Sequence, residues 1–253
     1  MPENLEGLVW LLLWLGPLLL FQRWLHREIQ ILLLIIVRRS EFVPVIFSLF
    51  FFPGVFLHEL SHYLVAVLLQ VKTGKFSLIP RVMPDGRLQL GFVETAQTDI
   101  LRDALIGAAP LVTGSAFVAY AGLSHLHLEL FWNAFIQGGP ADLWQAARMV
   151  YAVQDFWLWF YLAFAVSSTM LPSRSDRRAW LPLAAVVIVL VAVGLLAGAG
   201  AWLLENVAPL VDQFFQVSAV VFAISAALHA ALLLPIWTVR KILMRVMGLQ
   251  IST

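Results

Sequence analysis

The sequence predicts an all-α polytopic membrane protein, with about six transmembrane helices and a small β-hairpin or sheet between the second and third spans. Three observations carry this. Hydrophobic residues make up 61% of the 253, charged residues only 12%, and the mean hydropathy is +0.88. Soluble domains carry about 25% charge. Apolar runs of the required length, about 20 residues, recur along the chain. Between two of them lies a polar stretch in which Pro84-Asp85-Gly86 separates two strand-like runs, a hairpin signal. No polar stretch is long enough for a separate soluble unit, so residues 1–253 read as a single transmembrane domain. The formal net charge of +1, without a basic patch interleaved with aromatics, gives no reason to expect nucleic acid as a partner. Cysteine is absent, which excludes disulfides and thiolate ligands. Glu3 and Glu6 stand where a signal peptide would carry basic residues, so the first apolar run is expected to be retained.

The first span is expected over Leu8 to Leu25, interrupted by Gly16-Pro17 and Arg23. Glu28 to Val37 is too short to cross; it is either interfacial or a continuation of a long, tilted first helix. Phe42 to Val71 is the second span, and Pro53-Gly54 should kink it. Lys72 to Thr98 should hold the hairpin, with Phe76 to Met83 facing Arg87 to Glu94. Asp99 can cap the third span, Ile100 to Leu123. Its small residues between Gly107 and Gly114 permit close packing in lipid, with the second span as the expected partner. A short interfacial helix is expected over Leu143 to Val153. Asp155 to Leu171, Trp180 to Leu203 and Gln213 to Ile242 complete the spans. Trp24, Trp132, Trp180 and Trp237 sit near span ends, where the amphipathic indole is favoured.

Inside the second span lies His58-Glu59-Leu60-Ser61-His62, an HExxH motif. Six His and eight Glu in 253 residues would produce it by chance about 0.005 times per chain. On a helix His58 and His62 project from one face one turn apart, a spacing suited to one zinc ion. Glu59 can then take a proton from water that zinc has acidified. Polar groups at membrane depth cost several kcal/mol each unless they are satisfied, so a functional reason is expected for the cluster. His125, His127 and His229 are read as solvated, packing or hydrogen-bonded residues, not ligands.

A catalytic zinc takes three protein ligands and keeps one position open. Without cysteine the third must be His, Asp or Glu. Glu94, Asp99 and Asp103 follow the second span and can return to it; Asp176 follows the fourth span, which ends on the same side. A solvated Asp176 paired with Arg174 or Arg177 is the plain alternative.

The layout resembles the site-2 protease family of intramembrane zinc metalloproteases, peptidase family M50. The resemblance covers roughly Phe42 to Arg178, the expected catalytic core (42–178), and lacks a PDZ insert. His58, Glu59 and His62 match the family's HExxH. Ser168-Thr-Met-Leu-Pro172-Ser-Arg-Ser-Asp176 resembles its Asn-x-x-Pro stretch followed by Asp-Gly, with Ser168 in place of Asn, the proline shifted by one and Arg177 in place of Gly. The resemblance implies that Asp176 is the third zinc ligand and that membrane-anchored proteins are the substrates. The hairpin edge at Leu88, Leu90 and Gly91 is expected to pair with an unwound substrate strand, and Ser167, Ser168 or Thr169 to support the oxyanion. Two rivals stand beside this reading. One is a membrane zinc protease of the prenyl-protein or heat-shock type, with Glu94 or Glu129 as third ligand; the other is a catalytically silent membrane scaffold. The expected setting is a bacterial or archaeal cell membrane. Lys72, Lys75, Arg81 and Arg87, then Arg174, Arg177 and Arg178, then Arg240, Lys241 and Arg245 place the active site nearer the cytoplasmic face. Arg38 and Arg39 disagree, because they precede the second span.

Overall fold

A computed structural model describes residues 6–82 and 88–248 of the chain. The first apolar run and Glu28–Val37 form a single helix, α1 (Glu6–Val37), which carries Pro17 within it. The expected kink in the second span is a full break. Helix α2 (Val43–Phe50) ends at Phe51, and α3 (Phe52–Leu68) leaves it at 76°. Pro53 lies in the first turn of α3, where its missing N–H would have had no helical partner anyway. The far end of α3 closes where Gln70 takes a left-handed conformation and the Val71 N–H reaches back to the Ala66 carbonyl.

The polar stretch folds into two short antiparallel ladders. Strand β1 (Thr73–Ser77) pairs with β4 (Phe92–Thr95) through Phe76↔Val93 and Ser77↔Phe92. Strand β2 (Arg81–Val82) pairs with β3 (Leu88–Gln89). This is the hairpin that the sequence predicts; its Pro84-Asp85-Gly86 turn lies outside the described residues.

Helix α4 (Ile100–Tyr120) starts at Asp99, whose carboxylate accepts the Arg102 N–H at 3.0 Å. That bond lowers the pKa of Asp99. After a π turn (Ala121–His125) come two shorter helices, α5 (Glu129–Gln137) and α6 (Pro140–Tyr151). The latter is the expected interfacial helix, nearly perpendicular (98°) to the α7 that follows. Helix α7 (Phe156–Ser167) has only 12 residues; Ser168 caps it in helical geometry, the last helical bond runs from the Met170 N–H to the Val166 carbonyl, and the chain beyond is irregular to Ala179. Helix α8 (Trp180–Leu196) buries none of its side chains. A single turn, α9 (Gly200–Trp202), continues through a π turn (Leu203–Val207) into α10 (Ala208–Val246). Among the described residues three helical stretches are long and apolar enough to cross a membrane, or up to five if each bent pair counts as one; the 17-residue α8 is too short for that test. The count falls short of six because the second and fourth spans are broken and the fifth is short.

Helices α1, α4, α7 and α10 pack around Leu18, Val118, Ala163, Val166, Met170, Phe222 and Leu228. A second cluster joins Leu25 and Ile29 of α1 to Phe47, Phe51 and Val55, Phe164 and Leu233. In lipid, apolar side chains gain little by leaving the solvent, so close fit and interhelical hydrogen bonds hold such a bundle. The fit is visible at Gly107 and Gly114. Any side chain at Gly107 would strike the Asp176 carbonyl, and one at Gly114 would strike Met170. Helix α4 packs along α3, as expected, with Ile106 against Ala66 and Val71, and its Gly107 and Gly114 also receive the irregular segment after α7.

Helices α1 and α10 run parallel. The Gly7 N–H donates to Asp212 near the start of both, and Arg240 pairs with Glu28 towards their far ends. Helix α10 meets Gly122, at the end of α4, through Ile224 before it meets Ser168, at the end of α7, through His229. The C-terminal ends of α1, α3, α7 and α10 and the start of α4 thus share one end of the bundle.

Candidate metal centre

Helix α3 presents His58 and His62 one turn apart, and each ring is held from behind. His58 Nδ1 lies 2.6 Å from the Thr169 carbonyl, and His62 Nδ1 lies 2.8 Å from the Ile106 carbonyl. A carbonyl only accepts, so both Nδ1 atoms are the donors. The lone pairs then sit on the two Nε2 atoms, which face each other at 3.2 Å. Asp176 completes the group: its carboxylate oxygens lie 3.6 Å from His58 Nε2 and 3.5 Å from His62 Nε2. Among the described residues this is the one cluster of three such donors.

The donor types, two imidazoles and a carboxylate, suit zinc. With one ligand atom from each residue the three donors lie within 4.8 Å of one another, and each histidine has a different Asp176 oxygen as its neighbour, Oδ2 for His58 and Oδ1 for His62. Two imidazoles with their other nitrogens tied to backbone carbonyls are the outer-shell arrangement that fixes tautomer and ring direction in metal sites.

Asp176 is brought in by the irregular segment 168–179. Its own carboxylate accepts the Ser173 N–H at 2.6 Å, which bends the loop locally. Arg178 clasps Asp103 on α4 with two hydrogen bonds of 2.7 and 2.6 Å, and the bond from Asp103 raises the pKa of Arg178. The close approach at Gly107 seats the Asp176 backbone directly on α4. No ion pair joins Asp176 to Arg174 or Arg177 among the described residues; Arg177 Nε instead donates to the Ser173 carbonyl.

Glu59 is buried beside His58 and lines a cavity of about 1070 Å³ that also takes in both histidines, Asp176, Gln22, Arg23 and residues 89–95. Gly91 is the residue against Glu59: a Cβ there would sit 2.8 Å from Glu59 Cγ and 3.0 Å from the Ser77 carbonyl oxygen. Leu90 packs towards the Phe47 and Phe51 cluster, and Leu88 pairs with Val82 in the β2–β3 ladder. Strand β4 has β1 as its neighbour on one side and follows the cavity wall.

No family model, curated protein or solved structure matches this chain. The site therefore stands on its own geometry.

The hydroxyls expected to support an oxyanion are engaged elsewhere. Ser167 donates to the Phe164 carbonyl, Thr169 to the Ala165 carbonyl, and Ser168 lies 3.0 Å from His229 Nε2. Glu94 sits on β4 and accepts the Lys75 N–H; Glu129 lies beyond the far end of α4, beside His127. Neither joins the histidines. His125 stacks on Trp159 at 3.6 Å, in keeping with a packing role. Sequence reasoning missed the Thr169 carbonyl, for which no side-chain signal exists, and the Ile106 carbonyl, for which one does: Pro110, four residues on in α4, has no N–H to occupy it. It also missed Gln22, which carried a signal too: Gln22, His26 and Gln30 recur every four residues and all line the cavity.

Proposed function

We propose that this chain is an intramembrane zinc metalloprotease of the site-2 protease type, acting on membrane-anchored proteins. The observation that carries the reading is the convergence of His58 Nε2, His62 Nε2 and the Asp176 carboxylate within 3.6 Å, with Glu59 beside them on the same cavity. His58, His62 and Asp176 would hold the metal. Zinc, when bound, polarises the substrate carbonyl and acidifies water. Glu59 takes the proton released as water attacks and hands it to the leaving nitrogen. Thr169 and Ile106 hold the imidazoles in the ligand tautomer. The β4 wall offers the backbone geometry on which an unwound substrate strand can lie. The cavity supplies the room that water needs to reach a site among apolar helices.

The decisive test compares cleavage of a single-span model substrate by wild type and Glu59→Gln, with bound zinc measured in both. Cleavage by wild type alone, with zinc in both, is expected. Cleavage of equal rate would remove Glu59 as the base, and no cleavage by either would favour the scaffold reading. The prenyl-protein type has less support, since Glu94 and Glu129 lie away from the histidines.

The parallel run of α1 and α10 also supports a membrane disposition. It brings Arg38 and Arg39 to the same end as Arg240, Lys241 and Arg245. Lys72, Lys75, Arg174, Arg177 and Arg178 collect there too, at the ends of α3 and α7. An excess of Lys and Arg marks the cytoplasmic face, so the metal-site end faces the cytoplasm. On this reading α1, α4 and α10 cross the bilayer, and α7 with the segment that follows it and the short α8 complete one further crossing each way. The bent pair α2–α3 dips in and returns to the side it came from, which removes the disagreement that Arg38 and Arg39 pose for a simple second span.

A further inference from the structure

The residues that carry chemistry all lie on α3 and on the segment after α7. Helices α1 and α10 contribute no ligand, yet they converge on the residue next to Thr169. Gln22 Nε2 donates to the Ser168 carbonyl at 2.7 Å. Ser168 Oγ lies 3.0 Å from His229 Nε2, and His229 Nδ1 lies 2.7 Å from the Ser225 carbonyl. That carbonyl can only accept, so Nδ1 carries the proton, Nε2 is the acceptor and the Ser168 hydroxyl donates. Ser168, Ser225 and His229 are all buried.

We propose that Gln22 and His229 are positioning residues for the metal centre: they clamp the carbonyl and hydroxyl of Ser168 and thereby fix the Thr169 carbonyl that aims His58. This rests on the zinc reading above. The physical case is the short lever between the two ends. The Ser168 carbonyl belongs to the peptide plane that leads into Thr169, and only φ and ψ of Thr169 separate that plane from the carbonyl on His58. The Thr169 N–H is itself tied to the Val166 carbonyl at 3.0 Å. With the preceding plane held at both its oxygen and its side chain, the Thr169 carbonyl has little freedom, and His58 Nε2 stays aimed at His62 and Asp176. The Met170 N–H, in the same peptide plane as the Thr169 carbonyl, makes the last helical bond, to the Val166 carbonyl at 2.9 Å; without the clamp this terminal turn can fray, and the acceptor behind His58 can swing. A buried imidazole that served only to fill space would be better replaced by an apolar side chain, since its polar atoms cost free energy unless bonded.

A built-in control is present. Glu28 and Arg240 also tie α1 to α10 but do not touch Ser168. The experiment measures Zn2+ affinity by chelator competition on the purified full chain, and the visible spectrum after loading with Co2+. The variants are Gln22→Leu, His229→Leu, His229→Gln and the double replacement Glu28→Gln with Arg240→Met. Zn2+ affinity should fall about 10- to 100-fold in both Leu variants, the range for outer-shell partners of metal ligands, with an altered Co2+ spectrum. His229→Gln keeps an acceptor for Ser168 and should recover most of the loss; the double replacement should match wild type. Wild-type affinity and spectrum in the Leu variants would overturn the clamp, as would an equal loss in the double replacement. If the Leu variants do not fold, Ser168→Ala, which deletes one oxygen, carries the same expectation. A wild-type chain that binds no Zn2+ would overturn the zinc reading itself, a different result from a loaded wild type with indifferent variants.

Discussion

Gly91→Ala tests the placement of the proposed base without touching a metal ligand. A methyl at this position would lie 2.8 Å from Glu59 Cγ, 3.0 Å from the Ser77 carbonyl oxygen and 3.1 Å from Glu59 Oε1. Carbon atoms in contact prefer about 3.5–4.0 Å, so something must yield by about 1 Å. The strand is poorly placed to do so, because Phe92 and Val93 are registered with Ser77 and Phe76 in the β1–β4 ladder. The methyl also cannot lean away from Glu59 without meeting the β1 backbone. Glu59 is therefore the group that moves. A misplacement of about 1 Å in a reacting group can cost roughly 100-fold in rate, or about 2.7 kcal/mol of transition-state stabilisation. We expect kcat on a single-span substrate to fall about 100-fold while Zn2+ affinity stays within about twofold of wild type, since His58, His62 and Asp176 are untouched. A rate within about threefold of wild type would refute the placement of Glu59. Loss of zinc together with rate would show that the strand supports the metal ligands instead of the base.

Three further outcomes follow from the same geometry. Purified wild type should hold one zinc per chain, Asp176→Ala should lose most of it, and Glu94→Ala and Glu129→Ala should keep it; zinc content by elemental analysis decides, and full zinc in Asp176→Ala would remove the third ligand. Arg178→Met should weaken Zn2+ binding by up to about fivefold in a chelator titration, because the largely exposed pair with Asp103 is worth about 0.2–1 kcal/mol; a loss as large as that of Asp176→Ala would mean that the clasp does more than seat the loop. The chain lacks cysteine, so single replacements can be mapped with a membrane-impermeant thiol reagent on intact and inverted vesicles. Ser40→Cys, Thr98→Cys and Ser175→Cys should label from one side and Asn133→Cys from the other; labelling of Ser40 and Thr98 from opposite sides would end the re-entrant reading of α2–α3.

What the sequence made legible was local. The HExxH spacing needs only one helical turn, the Asp99 cap only three residues, and the hairpin only a turn signal between two runs. Each is a code read within a few positions. The continuous α1 is one of the two readings that the sequence left open for Glu28–Val37, and the structure decides between them. The rest was set by distant partners. Nothing in the apolar run from Phe156 onwards shows that the helix ends at Ser167; it ends where Gln22 and His229 take hold of the capping residue, Ser168. The Gly107–Gly114 helix was correctly read as packing on the catalytic helix, but the second neighbour that its two glycines admit, the segment after α7, was not foreseen, since small residues announce close approach and not every partner. The parallel arrangement of α1 with α10 depends on contacts more than 200 positions apart, such as Gly7 with Asp212.

Irregular backbone among apolar helices leaves carbonyls and N–H groups without helical partners, and at membrane depth it is tolerated only where protein groups or a water-lined cavity satisfy them. Segment 168–179 meets that condition in a particular way. The Ser168 carbonyl is taken by Gln22, the Thr169 carbonyl by His58, the Ser173 N–H by Asp176, and the Ser173 carbonyl by Arg177. Two of those four partners are proposed metal ligands. The hydrogen bonds that make a non-helical segment tolerable are thus the same ones that fix the tautomer of His58 and the direction of Asp176. A continuous helix in this place would not bend Asp176 back towards α3. The interruption after Ser167 thus serves the proposed site by freeing the Thr169 carbonyl for His58, whereas the Ile106 carbonyl that holds His62 is free inside α4 because Pro110, four residues on, has no N–H.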